Sequence, residues 1–257
     1  MVCMRLRRLL ALLVLWFPVS AQAQTDPNTL GPGQADPAPP IRAVIELFTS
    51  QGCSSCPPAD ALLKTYAESK DILALSLPID YWDYLGWKDT FASPGNTQRQ
   101  RAYAKGFGIG PVYTPQAVIN GMGQALGSSK KDIDEAIEQT AAALEKRRVT
   151  VRFLREPNSI IIATSGAPDG AEVKEATIWL AVVQKSGSVP IKRGENNGKS
   201  LTYTNVVRQL TPVGLWNGKP LTIQLAQAAV MRPETEDLIV LIQETDGPII
   251  GAARLGQ

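Results

Sequence analysis

The sequence predicts an α/β domain followed by an all-β antiparallel domain. Apolar strands alternate with amphipathic helices after residue 41, and short β-branched runs separated by turn residues replace them after residue 148. Six or more short strands are typical of an antiparallel sandwich. The length of 257 residues also suits two small domains better than one. We therefore expect an α/β domain over residues 41–147 and a β-sandwich over residues 148–257.

Residues 1–23 are typical of a secretory signal. Three arginines precede the apolar run Leu9 to Val19, and Ala21-Gln22-Ala23 offers a small-residue cleavage site. A retained anchor is the alternative, although the apolar run is shorter than the about 20 residues that span a bilayer. Residues 24–40 are poor in apolar side chains and predict a flexible leader. The mature protein is then periplasmic or secreted, with no membrane attachment after cleavage.

The first domain begins with a strand, a helix and a second strand, which favours a parallel pair with a right-handed crossover. The strands are predicted at residues 43–49 and 72–79, and the helix between them has one apolar face. Residues 80–96 follow no clean period and predict an inserted loop. The remaining predicted elements of this domain are a helix at 97–105, a strand at 115–120 and a helix at 130–146.

The second domain is predicted from its β-branched runs. Its strands are expected at residues 149–154, 159–164, 176–184, 221–225, 238–243 and 249–255. Between the third and fourth of these, Gly187 to Ser200 predicts a long polar loop.

The composition excludes several functions. The sequence has no histidine, which removes Ser-His-Asp and Cys-His catalysis and the commonest transition-metal ligand. No carboxylate spacing resembles a calcium loop, so we predict neither a metal nor another cofactor. The 26 basic and 24 acidic residues nearly balance, and three of the arginines lie in the predicted signal. Nothing in this balance indicates a nucleic-acid partner.

The motif Cys53-Ser54-Ser55-Cys56 carries the predicted chemistry. A turn from a strand into a helix places Cys53 at the helix N-terminus, where free N–H groups and the helix dipole favour a thiolate. Cys53 is therefore the predicted nucleophile, and Cys56, one turn further, is the predicted resolving thiol. Because Cys3 leaves with the signal, these are the two cysteines of the mature chain. In an oxidising compartment we expect them to be at least partly disulfide-bonded.

Two other interpretations of the pair remain open. The cysteines form a permanent local disulfide, or they supply half of a zinc site. A zinc site would need a second pair of ligands, which the sequence lacks. A structural disulfide over so short a loop restrains little of the unfolded chain.

The segment Val44 to Asp60, which includes Cys53-Ser54-Ser55-Cys56-Pro57-Pro58, resembles the thioredoxin superfamily. Within it, the chain is similar to a family of secreted bacterial proteins of unknown function. The other matching segments are Asp80-Tyr81-Trp82-Asp83, Leu85-Gly86-Trp87-Lys88-Asp89, Val112-Tyr113-Thr114-Pro115-Gln116, Gly194-Glu195-Asn196 and Asn205-Val206-Val207-Arg208. The resemblance covers essentially the whole mature chain and implies a fold without naming a reaction.

The resemblance implies that Thr114-Pro115 is a cis-proline loop that faces the dithiol and presents backbone to an extended substrate. Trp82, Trp87, Tyr113 and Gln116 are the candidate substrate-binding residues, although aromatic side chains more often belong to a core. Glu195 and Asn205 would reach the dithiol if the two domains packed face to face.

Proton transfer to the buried cysteine needs a nearby group, and the candidates by position near strand ends are Glu46 and Asp80, with Asp83 a third. The alternative is that Glu46 is an exposed strand residue and that the aspartates cap the turn.

The leading hypothesis is an exported thiol-disulfide oxidoreductase that acts on a protein or small-molecule thiol or disulfide. Its alternative is a non-catalytic periplasmic binding module with a structural disulfide. A peroxidase is disfavoured because Thr49 lies one residue from the position that such enzymes need, and a copper chaperone is disfavoured by the lack of histidine. The redox direction, the substrate and the oligomeric state stay open.

Overall fold

The computed structural model describes residues 40–231, 235–245 and 247–255. The predicted signal at 1–23 lies outside the described residues, as does the predicted leader except for its last residue, Pro40. Among the described helices, none has the length and apolar character needed to cross a bilayer.

The first half of the described chain alternates strands and helices. Its elements are β1 (Ala43–Thr49), α1 (Pro57–Ala67), β2 (Ile72–Pro78), α2 (Pro94–Gly106), β3 (Gln116–Ile119), β4 (Gly123–Leu126) and α3 (Lys130–Leu144), with short 3-10 turns at Asp83–Leu85 and Glu145–Arg147. Helix α2 begins earlier than residue 97, because the Ser93 side chain accepts a hydrogen bond from the Gly95 N–H and Pro94 occupies the first turn.

The second half consists mostly of strands. Its elements are β5 (Val151–Arg155), β6 (Ser159–Thr164), β7 (Ala176–Pro190), β8 (Ser200–Trp216), β9 (Leu221–Ala226), α4 (Gln227–Val230), β10 (Asp237–Glu244) and β11 (Ile249–Arg254). The sequence pattern missed β8 and ended β7 too early. In β8 the side-chain alternation is interrupted by Asn205, whose φ is +50°, and by Pro212.

One large sheet joins the two halves of the chain. Its eight strands lie in the order β11-β10-β7-β8-β2-β1-β3-β4. β1 and β2 are parallel, as expected, and β2 also runs parallel to β8 beside Ser76 and Val206. All other neighbours in this sheet are antiparallel. A second sheet has the order β5-β6-β9.

The large sheet carries helices on both faces of β1. Ile45 and Leu47 belong to a buried cluster with α1 and α3, whereas Val44 and Phe48 belong to a cluster with α2. This alternation is the period of two that a strand imposes on its side chains. Every residue of β1 is buried, and all of them are apolar except Glu46 and Thr49.

The three-stranded sheet packs on the part of the large sheet formed by β7 and β10. A shared core holds Val151 and Ile162 from one sheet and Ile178, Leu180 and Val240 from the other. The strands after residue 148 therefore do pack as two layers, but one layer continues into β2 and β1 instead of closing a sandwich of its own. The fold is mixed α/β, with a large sheet rich in antiparallel pairs and a second, smaller sheet.

Candidate functional site

The candidate site is the disulfide between Cys53 and Cys56, whose Cα atoms are 5.4 Å apart. Cys53 lies in the turn after β1, and Cys56 is the N-cap residue of α1, with Pro57 and Pro58 in the first helical turn. Both cysteines are nearly inaccessible, with relative exposures of 2% and 0%. The two serines between them are exposed. The motif thus presents its backbone turn to solvent and its sulfurs to the protein.

A second segment lies against the Cys53 sulfur. The Thr114–Pro115 peptide bond is cis, as the resemblance implied, and the Thr114 carbonyl oxygen lies 3.8 Å from Cys53 Sγ. The Ser55 Oγ is 3.3 Å from the same sulfur, and since a disulfide sulfur has no hydrogen, the hydroxyl is the donor. Trp82 is tied to this segment, because its indole N–H donates to Thr114 Oγ1 over 2.8 Å.

The connection between β7 and β8 reaches the motif from the far half of the chain. We call residues 191–199 the clamp loop. The Asn196 side chain, which is fully buried, donates from Nδ2 to the carbonyls of Gln51 and Cys53 over 3.0 and 2.9 Å. Next to it, the Glu195 carboxylate accepts from the Ser54 N–H at 3.1 Å. Hydrogen bonding by Ser54, through its side chain and then its N–H, lowers the pKa of Glu195.

The inserted loop, which the structure ends at residue 93 where α2 begins, secures the turn from the other side. Asp89 accepts a hydrogen bond from the Gln51 N–H over 2.8 Å, and its other oxygen accepts from the Phe91 N–H, also at 2.8 Å. Burial raises the pKa of Asp89. The indole N–H of Trp87 donates to Gln51 Oε1 over 2.8 Å. Trp87 is partly buried and packs against a small core cluster formed by Ile191, Leu201, Tyr203 and Val206.

A buried carboxyl lies one helical turn beyond Cys56. Asp60 is 5% exposed, and its N–H donates to the Cys56 carbonyl within the first turn of α1. Residues four apart are neighbours on a helix surface. Among the described residues, neither carboxylate oxygen of Asp60 has a hydrogen-bond partner. Burial raises the pKa of Asp60 well above its ordinary value, and the charge of Asp89 adds to this effect.

Asp60 also faces the far half of the chain. Burial raises the pKa of Tyr203, and the charges of Asp60 and Asp89 add to this effect. The three groups are all buried and close enough for their charges to act on one another. Sequence reasoning missed Asp60, although an acidic residue between Ala59 and Leu63 on the apolar face of α1 was a usable signal.

Glu46 is buried, but it lies on the opposite face of the sheet from α1. Its carboxylate forms a two-pronged ion pair with Arg99 of α2, at 2.5 Å to Nε and 3.0 Å to a terminal nitrogen. The Tyr103 hydroxyl donates to the same carboxylate over 2.5 Å. Burial alone would lower the pKa of Arg99, but the charges of Glu46 and Tyr103 raise it overall. The structure thus does not bring Glu46 to the disulfide.

Asp80 is likewise engaged away from the sulfurs. Its carboxylate accepts from the Thr97 hydroxyl over 2.6 Å, and the same hydroxyl accepts from the Asp80 N–H at 3.2 Å. This pair joins the end of β2 to the first turns of α2. The predicted role of the aspartate as a turn cap describes its contacts better than a role in proton transfer.

Tyr113 and Gln116 hold the proline segment from behind. The Tyr113 hydroxyl donates to Gln124 over 2.5 Å, and its carbonyl accepts from Gln100 Nε2 at 2.7 Å. Gln116 is buried, accepts from Gln100 at 2.9 Å and donates to Gln124 at 3.2 Å. Gln116 therefore supports the segment through its network, whereas Tyr113 remains partly exposed. Asn205 lies elsewhere, with its amide nitrogen on the Ala74 carbonyl.

Within the described ranges, no group of three or more Asp, Glu and Cys side chains is arranged to hold a metal ion. The site is built from a disulfide, two backbone-binding loops and a buried carboxyl.

These features define a mixed α/β protein with a disulfide at the start of its first helix. The family described as "Protein of unknown function (DUF1223)" matches residues 44–243, and the chain belongs to it. Among solved structures, the X-ray crystal structure of protein AGR_C_4864 from Agrobacterium tumefaciens is similar. It is 32% identical, with a TM-score of 0.74 over 84% of this chain and 95% of that one.

A second similar structure is that of HBP35 of Porphyromonas gingivalis. It has a TM-score of 0.54 over 84% of this chain and 74% of that one, at 14% identity, so the likeness concerns the fold alone. No curated protein matches the chain.

Proposed function

We propose that this protein is an exported thiol-disulfide oxidoreductase that uses Cys53 and Cys56 on protein or small-molecule thiols and disulfides. One observation carries the proposal. The disulfide lies at the N-terminus of α1, and the carbonyl of a cis Thr114–Pro115 bond lies 3.8 Å from the Cys53 sulfur. This pairing of a dithiol with a proline segment is what the resemblance to thioredoxin implied.

The surrounding elements support a thioredoxin-like arrangement. The strand order β2-β1-β3-β4 combines one parallel pair with two antiparallel ones. Helices α1 and α3 pack on one face and α2 packs on the other. The proposal assigns this core to residues 41–147 and treats the strands after residue 148 as a second domain whose sheet extends the first.

In the proposed reaction, the reduced Cys53 thiolate attacks one sulfur of a partner disulfide, and the other sulfur leaves as a thiolate. Cys56 then loses its proton and attacks Cys53. The mixed disulfide breaks, the Cys53–Cys56 bond forms and the partner leaves with two thiols. The reverse sequence oxidises a dithiol partner. Helix N-terminal N–H groups stabilise the Cys53 thiolate in both directions.

Asp60 is the proposed proton acceptor for Cys56. It lies one turn beyond that cysteine on α1, and its carboxylate oxygens have no hydrogen-bond partner among the described residues. A raised carboxyl pKa approaches that of a thiol, which suits proton exchange between the two groups. In this proposal Glu46 and Asp80 keep structural roles, since their partners are on α2.

The partner surface is proposed to be the exposed side of the inserted loop. Tyr84 is 76% exposed and stacks on Trp82, with ring centroids 6.1 Å apart. Trp82 in turn bonds Thr114, beside Pro115, so an extended partner chain would cross aromatic rings next to the proline segment. Aromatic side chains of this kind are enriched where proteins bind one another.

A second candidate function is a binding module with a structural disulfide. The low exposure of both cysteines favours it, because a partner needs access to a sulfur in order to exchange with it. A redox titration distinguishes the two functions. The mature protein is equilibrated over a range of glutathione ratios, and free thiols are counted by the mass added on alkylation, with Cys53→Ala as the blank.

A redox catalyst is expected to titrate between about −270 and −120 mV. A potential below about −300 mV, or no titration, would contradict the proposal and favour the binding module.

Trapping of mixed disulfides with partner proteins uses a matched pair of variants. Cys56→Ser is expected to accumulate mixed disulfides through Cys53, and Cys53→Ser is expected to accumulate none. Export is tested by recovering the protein from the periplasm and measuring its molecular mass. The mass should correspond to a chain that begins at Gln24.

A further inference from the structure

The clamp loop places a carboxylate directly on the turn between the two cysteines. Glu195 accepts from the Ser54 N–H at 3.1 Å, and Ser54 is the first residue after the nucleophile. Since the pKa of Glu195 is lowered by its hydrogen bonds with Ser54, the carboxylate is ionised at neutral pH. A negative charge at this point opposes the effect of the helix N-terminus, which favours a thiolate.

The position of this charge is fixed by the neighbouring residue. Asn196 is buried and bonds the carbonyls of Gln51 and Cys53, so the clamp loop is held on both sides of Gly52. The loop is closed at its base, where the Ile191 N–H donates to the Lys199 carbonyl at 2.8 Å. Glu195 is therefore carried on a segment that is anchored in two places.

The other titratable and charged groups around the motif come from five elements. They are Lys199, Lys192 and Arg193 of the clamp loop, Asp83 and Asp89 of the inserted loop, Asp60 of α1, Tyr113 beside the proline segment and Tyr203 of β8. Burial raises the pKa of Asp89 and of Asp60, which favours their neutral forms. The Lys199 ammonium donates to Asn196 Oδ1 over 2.9 Å and acts in the opposite direction to Glu195.

We propose that Glu195 is a positioning residue that holds the reduced Cys53 in its protonated, less nucleophilic form. This inference rests on the proposed function, because the ionisation of Cys53 matters for a redox reaction. The ionisation itself is measured whether or not that function holds. The carboxylate engages the Ser54 N–H, the first backbone donor after Cys53, and its negative charge repels a thiolate on Cys53. Because the thiolate belongs to the reduced state, Glu195 destabilises that state relative to the disulfide and makes the pair more reducing.

The test is the pH profile of Cys53 alkylation in the reduced protein. Iodoacetamide is used because a neutral reagent is not repelled by Glu195, and the Cys53 adduct is identified by peptide mass. Glu195→Gln keeps the shape of the side chain and removes its charge. We expect its profile to move to lower pH, with a rate at pH 7 about threefold higher than wild type and the same plateau at high pH.

Two further variants serve as controls. Glu195→Asp retains the charge and should restore a profile close to wild type. Glu135→Gln removes one negative charge from α3, where Glu135 pairs with Lys131, and should leave the profile unchanged. Thermal unfolding checks that each variant is folded, which is expected because Glu195 is exposed.

The inference is overturned if the Glu195→Gln profile superimposes on that of wild type. It is also overturned if only the plateau rises, because that would mean that Glu195 restricts access rather than ionisation. The proposed function fails separately: a shifted alkylation profile in a protein that exchanges no disulfide with glutathione would retain the inference and reject the oxidoreductase. Normal exchange with an unshifted profile would do the reverse.

Discussion

The indole N–H of Trp82 donates to the hydroxyl of Thr114 over 2.8 Å, and the carbonyl of the same threonine lies 3.8 Å from the Cys53 sulfur. Trp82 also contacts the turn itself, because a Cβ on Gly52 would come within 3.1 Å of the Trp82 Cβ. The inserted loop, the proline segment and the disulfide are thus held together at one point.

Trp82 should report the state of the disulfide by fluorescence. A disulfide quenches indole emission at short range, so reduction of the protein is expected to raise tryptophan fluorescence. Trp82→Phe should reduce that increase, because the Trp82 indole is bonded to Thr114, whose carbonyl lies beside the Cys53 sulfur. Trp216→Phe, in the core between the two sheets, is the matched control. An undiminished increase in Trp82→Phe would contradict this placement.

Gly127 should tolerate no side chain, because it is packed beneath the proline segment. Its N–H donates to the Pro115 carbonyl at 3.0 Å, and an added Cβ would lie 2.6 Å from the Leu47 side chain and 3.0 Å from that of Pro115. Gly127→Ala is expected to lower the free energy of unfolding by about 1–3 kcal/mol. Gly110→Ala, where nothing lies within 4 Å, should change it little. Equal urea midpoints for the two variants would refute the prediction.

Glu46 is expected to matter for stability and not for the redox potential. Glu46→Gln breaks a buried ion pair with Arg99 and should lower the free energy of unfolding by about 3–5 kcal/mol. Glu138→Gln breaks an exposed pair with Arg42 and should cost less than about 1 kcal/mol. Both are measured by urea denaturation, followed by glutathione titration under native conditions. A shifted potential without a loss of stability would restore Glu46 as a candidate for proton transfer.

The raised pKa of Asp60 should make the free energy of unfolding depend on pH. Burial raises its pKa well above the ordinary value of 3.8, so the folded state keeps a proton that the unfolded state loses. The free energy of unfolding should therefore fall as the pH rises from about 4 toward the folded-state pKa. In Asp60→Asn this slope should be smaller, and the variant should gain stability relative to wild type as the pH rises.

Asp169→Asn, at an exposed loop position, is the control for Asp60 and should leave the slope unchanged. Asp89 adds a slope of the same sign that remains in both variants, since burial raises its pKa as well. Chemical denaturation at several pH values between 4 and 9 measures these slopes. Parallel curves for wild type and Asp60→Asn would show that Asp60 does not titrate differently on folding.

Local pattern predicted most elements of the first half of the chain. β1, β2 and α3 were found close to their expected bounds, since an apolar run or an apolar helix face specifies such elements with little help from distant residues. The start of α2 was missed because its cap, Ser93, lies inside a segment that has no hydrophobic period. β8 was missed because Asn205 and Pro212 interrupt its alternation.

The residues of the candidate site likewise fall into those that the sequence predicted and those that it did not. The sequence by itself determined the two cysteines, their place at the start of a helix and the proline that follows Thr114, because these depend on spacing along the chain. It did not determine the contacts of Glu46, since the face of a strand on which a side chain lies is decided by packing against α1 or α2.

Only the tertiary structure decided which residues complete the site. Asn196 and Glu195 reach the cysteine turn because β8 pairs with β2 and so brings the clamp loop across more than 140 positions of sequence. Asp60 became notable because it is buried and because the fold brings its charge within range of Asp89 and of Tyr203 in β8. Hydrogen bonds and burial of this kind depend on distances between elements, which the order of residues does not contain.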